Sequence, residues 1–213
     1  MRCALTLALI LAAAPGLAAQ GGRRDRRTPE EQKAENIREA TQRLSRLAAR
    51  TDLTPENRTL NQKATALVDR SRNAPADSYL LDRLESAVDD LLDASEQIIE
   101  ARLPGGGNGG RGGDRGRIRT PDEARRETVR ELERSYFRIQ QGDYFARQSQ
   151  EADANDYLVV SRRLYQLARA AYDSGDYGAA HGFAEASEAV IQGLESLAQA
   201  AVPVPVPPQL PEG

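Results

Sequence analysis

Behind an apolar N-terminal run, hydrophobic positions return every three to four residues in six separate stretches, the spacing of amphipathic helices. The first stretch carries Ala34, Ile37, Thr41, Leu44, Leu47 and Ala48 and predicts a helix to about Arg50. The second carries Leu60, Ala64, Leu67 and Val68 and ends before Pro75. The third is the most continuous, with Leu80, Leu81, Leu84, Val88, Leu91, Ser95, Ile98 and Ile99 running to about Leu103. Val129, Leu132, Tyr136 and Ile139 mark a fourth helix, which Gly142-Asp143 is expected to interrupt. A fifth is expected from about Tyr144 to Tyr172, bending near Asp153 to Asp156, with Tyr157, Ser161, Leu164, Ala168 and Ala171 inward. The sixth, from Tyr177 to Ala201, presents Ala180, Phe183, Ser187, Val190, Leu194 and Leu197.

Local chemistry sharpens three of the starts. Thr28-Pro29-Glu30-Glu31, Thr54-Pro55-Glu56 and Thr120-Pro121-Asp122-Glu123 each set a capping threonine before a proline and acidic residues. The hydroxyl can accept a first-turn N–H, proline fits where no N–H is needed, and the acids suit the positive helix end. In the first and third, the acid three residues on completes a capping box. Val-Ile-Thr runs are nearly absent, so the expected fold class is all-α. It is expected to form two small three-helix bundles, over 28–103 and 120–201, or one extended helical array. The glycine-rich run 104–119 reads as a linker, because that much glycine favours neither regular element. The repeated Thr-Pro-acid starts and arginine-rich leaders suggest a duplication.

The ends of the chain speak to location. Arg2, the apolar run Ala4 to Ala14, Pro15-Gly16 and the small residues Ala18 and Ala19 have the order of a secretory signal peptide, assigned to residues 1–19. The expected location is therefore outside the cytoplasm, periplasmic or extracellular, with no membrane span after cleavage. Cys3, the sole cysteine, would leave with the leader and take any disulfide or thiol chemistry with it. Residues 20–27 read as a basic, disordered leader and 202–213 as an extended proline-rich tail. The chain has net charge −3, one unit more negative once Arg2 is removed.

Leu164, Leu167, Ala168 and Tyr172, then Gly175-Asp176-Tyr177, then Ala180 and Ala184 follow the pattern of a helical hairpin with small contact residues on its second helix. The segment 164–191 resembles a tetratricopeptide-type hairpin, and Tyr136, Ile139 and Gly142-Asp143-Tyr144 give a fainter echo of it. The resemblance implies a scaffold that binds a protein or peptide, and implies no chemistry.

No catalytic, metal or cofactor-binding set emerges, and the chain is expected not to be an enzyme. His181 is the only histidine, and the serines that might join it, Ser174 and Ser187, lie in no nucleophile-elbow motif. Asp82, Glu85, Asp89, Asp93, Glu96 and Glu100 step along the third helix and read as one broad solvated band. A hydrolase built on paired carboxylates is the remote alternative. No phosphate loop is present. Two binding features stand out. Tyr144, Tyr172 and Tyr177 belong to an aromatic-rich second half, whereas the first half before residue 104 has Tyr79 alone. Tyrosine suits recognition surfaces, so these three are the candidate contacts for a protein partner or for self-association. Arg23, Arg24, Arg26 and Arg27 with Arg111, Arg115, Arg117 and Arg119 could instead hold an anionic envelope polymer by salt-sensitive attraction. They lack the interleaved aromatics that stack bases, so no specific nucleic acid is expected.

Overall fold

The computed structural model describes residues 27–103 and 120–202. The segment expected to be a signal peptide, most of the basic leader, the glycine–arginine run and the proline-rich tail lie outside the described residues, and so do the expectations attached to them.

The described fold is all-α. It contains α1 (Pro29–Ala48), α2 (Pro55–Asn73), α3 (Tyr79–Ala101), α4 (Pro121–Gln148), α5 (Ala154–Asp173) and α6 (Tyr177–Ala200). The Thr-Pro starts work as their chemistry dictates. Thr28, Thr54 and Thr120 each accept from the backbone N–H three residues on, and Glu31, Asn57 and Glu123 reach back to the cap. Each such cap contributes about 1 kcal/mol. Gly175 closes α5 at φ +84, with Asp176 N–H donating to Ala171 C=O and Gly175 N–H to Tyr172 C=O, a Schellman turn that a β-carbon would strain.

The helices form two groups of three, α1–α3 and α4–α6, and the groups meet along α3 and α6. Those two helices run antiparallel: Gly182 lies against Ala101, while Gly193 faces Ala87 and Asp90. A β-carbon on Gly182 would come within 3.0 Å of the Ala101 methyl, so glycine sets how closely the two axes approach. Ala87, Ala94 and Ala101 on α3 recur every seven residues and are all buried. On α6, Ala179, Gly182, Ala186, Ala189 and Gly193 are buried too. With α3, α4 and α5 all packed on it, α6 is buried on nearly every side, and one hydrophobic core runs through both groups.

Two polar clasps pin helix pairs at fixed register. Buried Asn57 on α2 donates through Nδ2 to Ser95 C=O at 2.8 Å and Ser95 Oγ at 2.9 Å on α3. Ser161 on α5 and Ser187 on α6 exchange hydroxyl bonds, each Oγ donating to the other's carbonyl at 3.0 and 2.9 Å. Small side chains allow the close approach, and paired polar atoms avoid the cost of burying them alone.

The break between the fourth and fifth helices differs from the sequence expectation. Gly142-Asp143 does not interrupt α4, which continues to Gln148; the chain turns at Ser149 to Asp153, where Gln150 has φ +56. Gly142 sits inside the helix because its face meets Leu158 and Ile191, and a β-carbon would lie 2.6 Å from Leu158 Cδ2. Its glycine serves packing and not turning. The faint Gly142-Asp143-Tyr144 echo of a hairpin turn is therefore mid-helix. The stripe assigned to α4 is also rotated: Tyr136 is largely exposed, and Ser135 is buried in its place.

Candidate functional site

The outward face of α4 is built by the same rotation. Turning the helix so that Leu132, Ser135, Ile139 and Gly142 face inward leaves Arg126, Arg130, Glu133, Phe137, Gln140, Tyr144 and Arg147 in solvent. Phe137 is 67% exposed and Tyr144 61%, among the most exposed large hydrophobic side chains described. Seven residues apart, they lie two turns and about 10.5 Å from each other on one face. Tyr136, 48% exposed, extends the patch sideways: its ring is 6.2 Å from Phe137 and 6.0 Å from Tyr165 on α5. Phe145 lies edge-on to Tyr144 at 5.7 Å.

The three tyrosines singled out from the sequence are not brought together. Tyr172 and Tyr177 flank the α5–α6 turn, half-buried, with rings 5.4 Å apart, and Arg125 Nε donates to the Tyr172 hydroxyl at 3.2 Å. That contact puts them beside the start of α4. Tyr144 lies about five turns farther along the same helix, past Arg125. Phe137 is the neighbour that sequence reasoning missed. Its signal was present: it stands off the Leu132–Ile139 stripe and seven residues before Tyr144.

Arg27 is the one candidate polyanion contact among the described residues, and it pairs with Glu35 at the start of α1. Arg23, Arg24, Arg26, Arg111, Arg115, Arg117 and Arg119 lie outside them.

The acidic band of α3 is not a uniformly solvated face. Arg43 reaches from α1 into it, buried, and its guanidinium donates to Asp93 at 2.6 Å, Glu96 at 3.0 Å and Asp89 at 3.3 Å. Burial alone would lower the guanidinium pKa, but its bonds to the Glu96 and Asp93 carboxylates raise it overall. Asp90, one step round the helix, faces α6. Burial, then repulsion from Asp93, Asp89 and Glu195, pushes its carboxyl up to about 7. Glu131 on α4 is likewise pushed up to about 7, by burial and by the Glu188 carboxyl of α6 against it.

His181 engages neither serine considered with it. Its Nε2 lies 3.2 Å from Glu185, Ser187 is locked to Ser161, and the Ser174 hydroxyl donates to Ala171 C=O. Burial lowers the imidazole pKa, but Glu185, Glu131 and Glu127 raise it overall. Among the described residues, no group of His, Cys, Asp and Glu has the arrangement of a metal site, and no helix is long and apolar enough to cross a membrane.

No protein-family model, curated protein or solved structure matches this chain. The arrangement of its own side chains therefore carries the functional reading.

Proposed function

We propose that the chain is an exported, non-enzymatic helical scaffold that binds a protein partner through the outward face of α4. The observation that carries this is the pair Phe137 and Tyr144, two large aromatic side chains left in solvent on one face of one helix. Aromatic rings in contact with water lose free energy that burial in an interface recovers, and such residues dominate binding energy where they occur. Arg126, Arg130 and Arg147 along the same face would form the polar rim and favour an acidic partner surface. The α5–α6 hairpin holds this face from behind through Tyr165 and the shared core. The signal-like leader supports export, and the hairpin resemblance supports a scaffold.

Site-specific photo-crosslinking in intact producing cells tests the reading. A photoreactive phenylalanine at 137 or 144 is expected to trap the same discrete partner, and one at Asp173, on another helix end, is not. Substituting Tyr144→Ala beside the probe at 137 should diminish the adduct. The same adducts from all three positions, or none from 137 and 144, would reject α4 as the recognition face.

A further inference from the structure

The outward face of α4 has a regularity that goes beyond its two exposed rings. Arg130, Glu133, Phe137, Gln140, Tyr144 and Arg147 are all exposed, and their spacings alternate between three and four residues. That alternation keeps side chains in one line along a helix, and it is the spacing by which one helix packs lengthwise on another. At 28 residues, about 42 Å, α4 is the longest described helix. Its inner stripe of Leu132, Ser135, Ile139 and Gly142 is already buried in the protein, whereas the outer line faces solvent.

Reversed end for end, the line is complementary to itself. A two-fold axis passing Gln140 and Gln141 sets Phe137 of one copy against Tyr144 of the other, and Glu133 against Arg147. The axis generates each contact twice, so two ring pairs and two opposite-charge pairs flank the centre. Arg147 Nε donates to the Asp143 carbonyl at 3.2 Å, which holds the guanidinium along the helix. Gln140 meets its own copy at the centre, and an amide can both donate and accept. Arg126 and Arg130 run past the end of the second α4, toward the turn before α5, where Asp153 and Asp156 share the Lys63 ammonium. A parallel pairing in register would instead set Arg126, Arg130, Glu133 and Arg147 each against itself, like charge on like.

We infer that the partner of this face is a second copy of the chain, bound through an antiparallel pair of α4 helices in a two-fold dimer. The inference rests on the reading of α4 as the recognition face and names its partner. Phe137 and Tyr144 supply most of the hold, and the Glu133–Arg147 pairs select the antiparallel arrangement. One pair of helices buries less than an obligate interface, so the dimer dissociates on dilution.

Charge reversal tests the pairing, read by sedimentation equilibrium of the mature chain over a wide range of concentration at low salt. The substituted positions all lie in solvent, and circular dichroism checks that helicity is retained. The parent chain is expected to pass from monomer to dimer, and Phe137→Ser to stay monomeric. Glu133→Arg and Arg147→Glu should each weaken self-association about tenfold, because each sets like charges together twice. Mixed in equal amounts, these two variants are expected to form a heterodimer at parental strength, since both charge pairs are then opposite in sign. A parent chain that stays monomeric, or a mixture no tighter than its components, would overturn the two-fold pairing. Photoreactive phenylalanine at 137 in producing cells separates that failure from failure of the face itself. An adduct of the chain with itself supports the dimer. An adduct with a different protein overturns the dimer and keeps the face, and no adduct loses both.

Discussion

At the scale of single residues, Gly142 shows why a letter read in isolation misleads. Glycine between polar neighbours is a turn signal, and the sequence predicted one there. The structure uses the missing β-carbon instead, because α4 passes Leu158 and Ile191 with no room for a methyl. Gly142→Ala is expected to destabilise the protein by about 1–3 kcal/mol despite alanine's better helix propensity, since the Leu158 and Ile191 side-chain ends that must shift are enclosed in the core. Gly193→Ala meets only ordinary contacts, the nearest at 3.4 Å, and should cost far less. Urea midpoints of the two variants measured side by side check this, and equal midpoints would refute the packing argument. Phe137 and Tyr136 make the complementary point. Phe137 stands off the Leu132–Ile139 stripe in the sequence, whereas Tyr136 was expected on it, and only the rotation of α4 against α6 turned Tyr136 out and Ser135 in.

At the scale of elements, α1 and α6 are opposites. On α1 only Ala40, Arg43 and Leu47 are buried, whereas α6 buries sixteen residues. Much of the hold on α1 is therefore polar, through Arg43 to the α3 acids, Lys33 to the α2 carbonyls and Asn36 to Glu85. Arg43→Ala is expected to cost about 1–3 kcal/mol, less than breaking a fully buried pair, because Asp89 and Glu96 reach solvent. Hydrogen exchange should quicken along α1 and stay unchanged along α6. Uniform loss of protection through all six helices would contradict a locally attached α1.

The seams of α6 carry a pH signature. Asp90 on α3 and Glu131 on α4 both face it with carboxyls pushed up to about 7. A raised folded-state pKa means that the unfolded chain releases its proton first as pH rises. Their contribution is therefore fully present below about pH 4 and is lost as pH climbs to about 7. His181, also raised, acts in the same direction near neutrality. Stability is expected to fall from pH 4.5 to 7.5, and Asp90→Asn should flatten that slope. Chemical denaturation across this window reads it directly, and a rising slope in the parent protein would show that α6 does not govern the response. Helical spacing already left Asp90 out of the band that holds Asp89 and Asp93, but it did not show what each would meet. Only the packing of α3 sends Asp90 to α6 and Asp89 and Asp93 to Arg43.

At the scale of the whole molecule, the two groups of helices share a core through α3 and α6. Separating them would expose the buried faces of Ala87, Ala94, Ala186 and Ala189. Fragments 27–103 and 120–202 made alone are expected to melt at lower temperature than the intact chain. Mixing them should restore much of the lost stability and yield a one-to-one complex by sedimentation. Two fragments that each melt like the whole, and ignore each other, would make the shared core energetically irrelevant.

The sequence by itself determined the all-α class, the six helices and the ends of most of them. Those features depend on local physics: the period of apolar residues, threonine hydroxyls capping first-turn amides, and glycine or proline where a helix stops. It also marked three of the four residues in the Asn57–Ser95 and Ser161–Ser187 clasps indirectly, since Ser95, Ser161 and Ser187 fall on the apolar stripes, whereas Asn57 did not stand out. Only the tertiary structure decided which acids pair, which aromatics stay in solvent and where α4 ends. Each of these depends on how one helix is rotated against another. That rotation is set by contacts between residues as distant as Gly142 and Ile191, or Arg43 and Asp93, which no local pattern records.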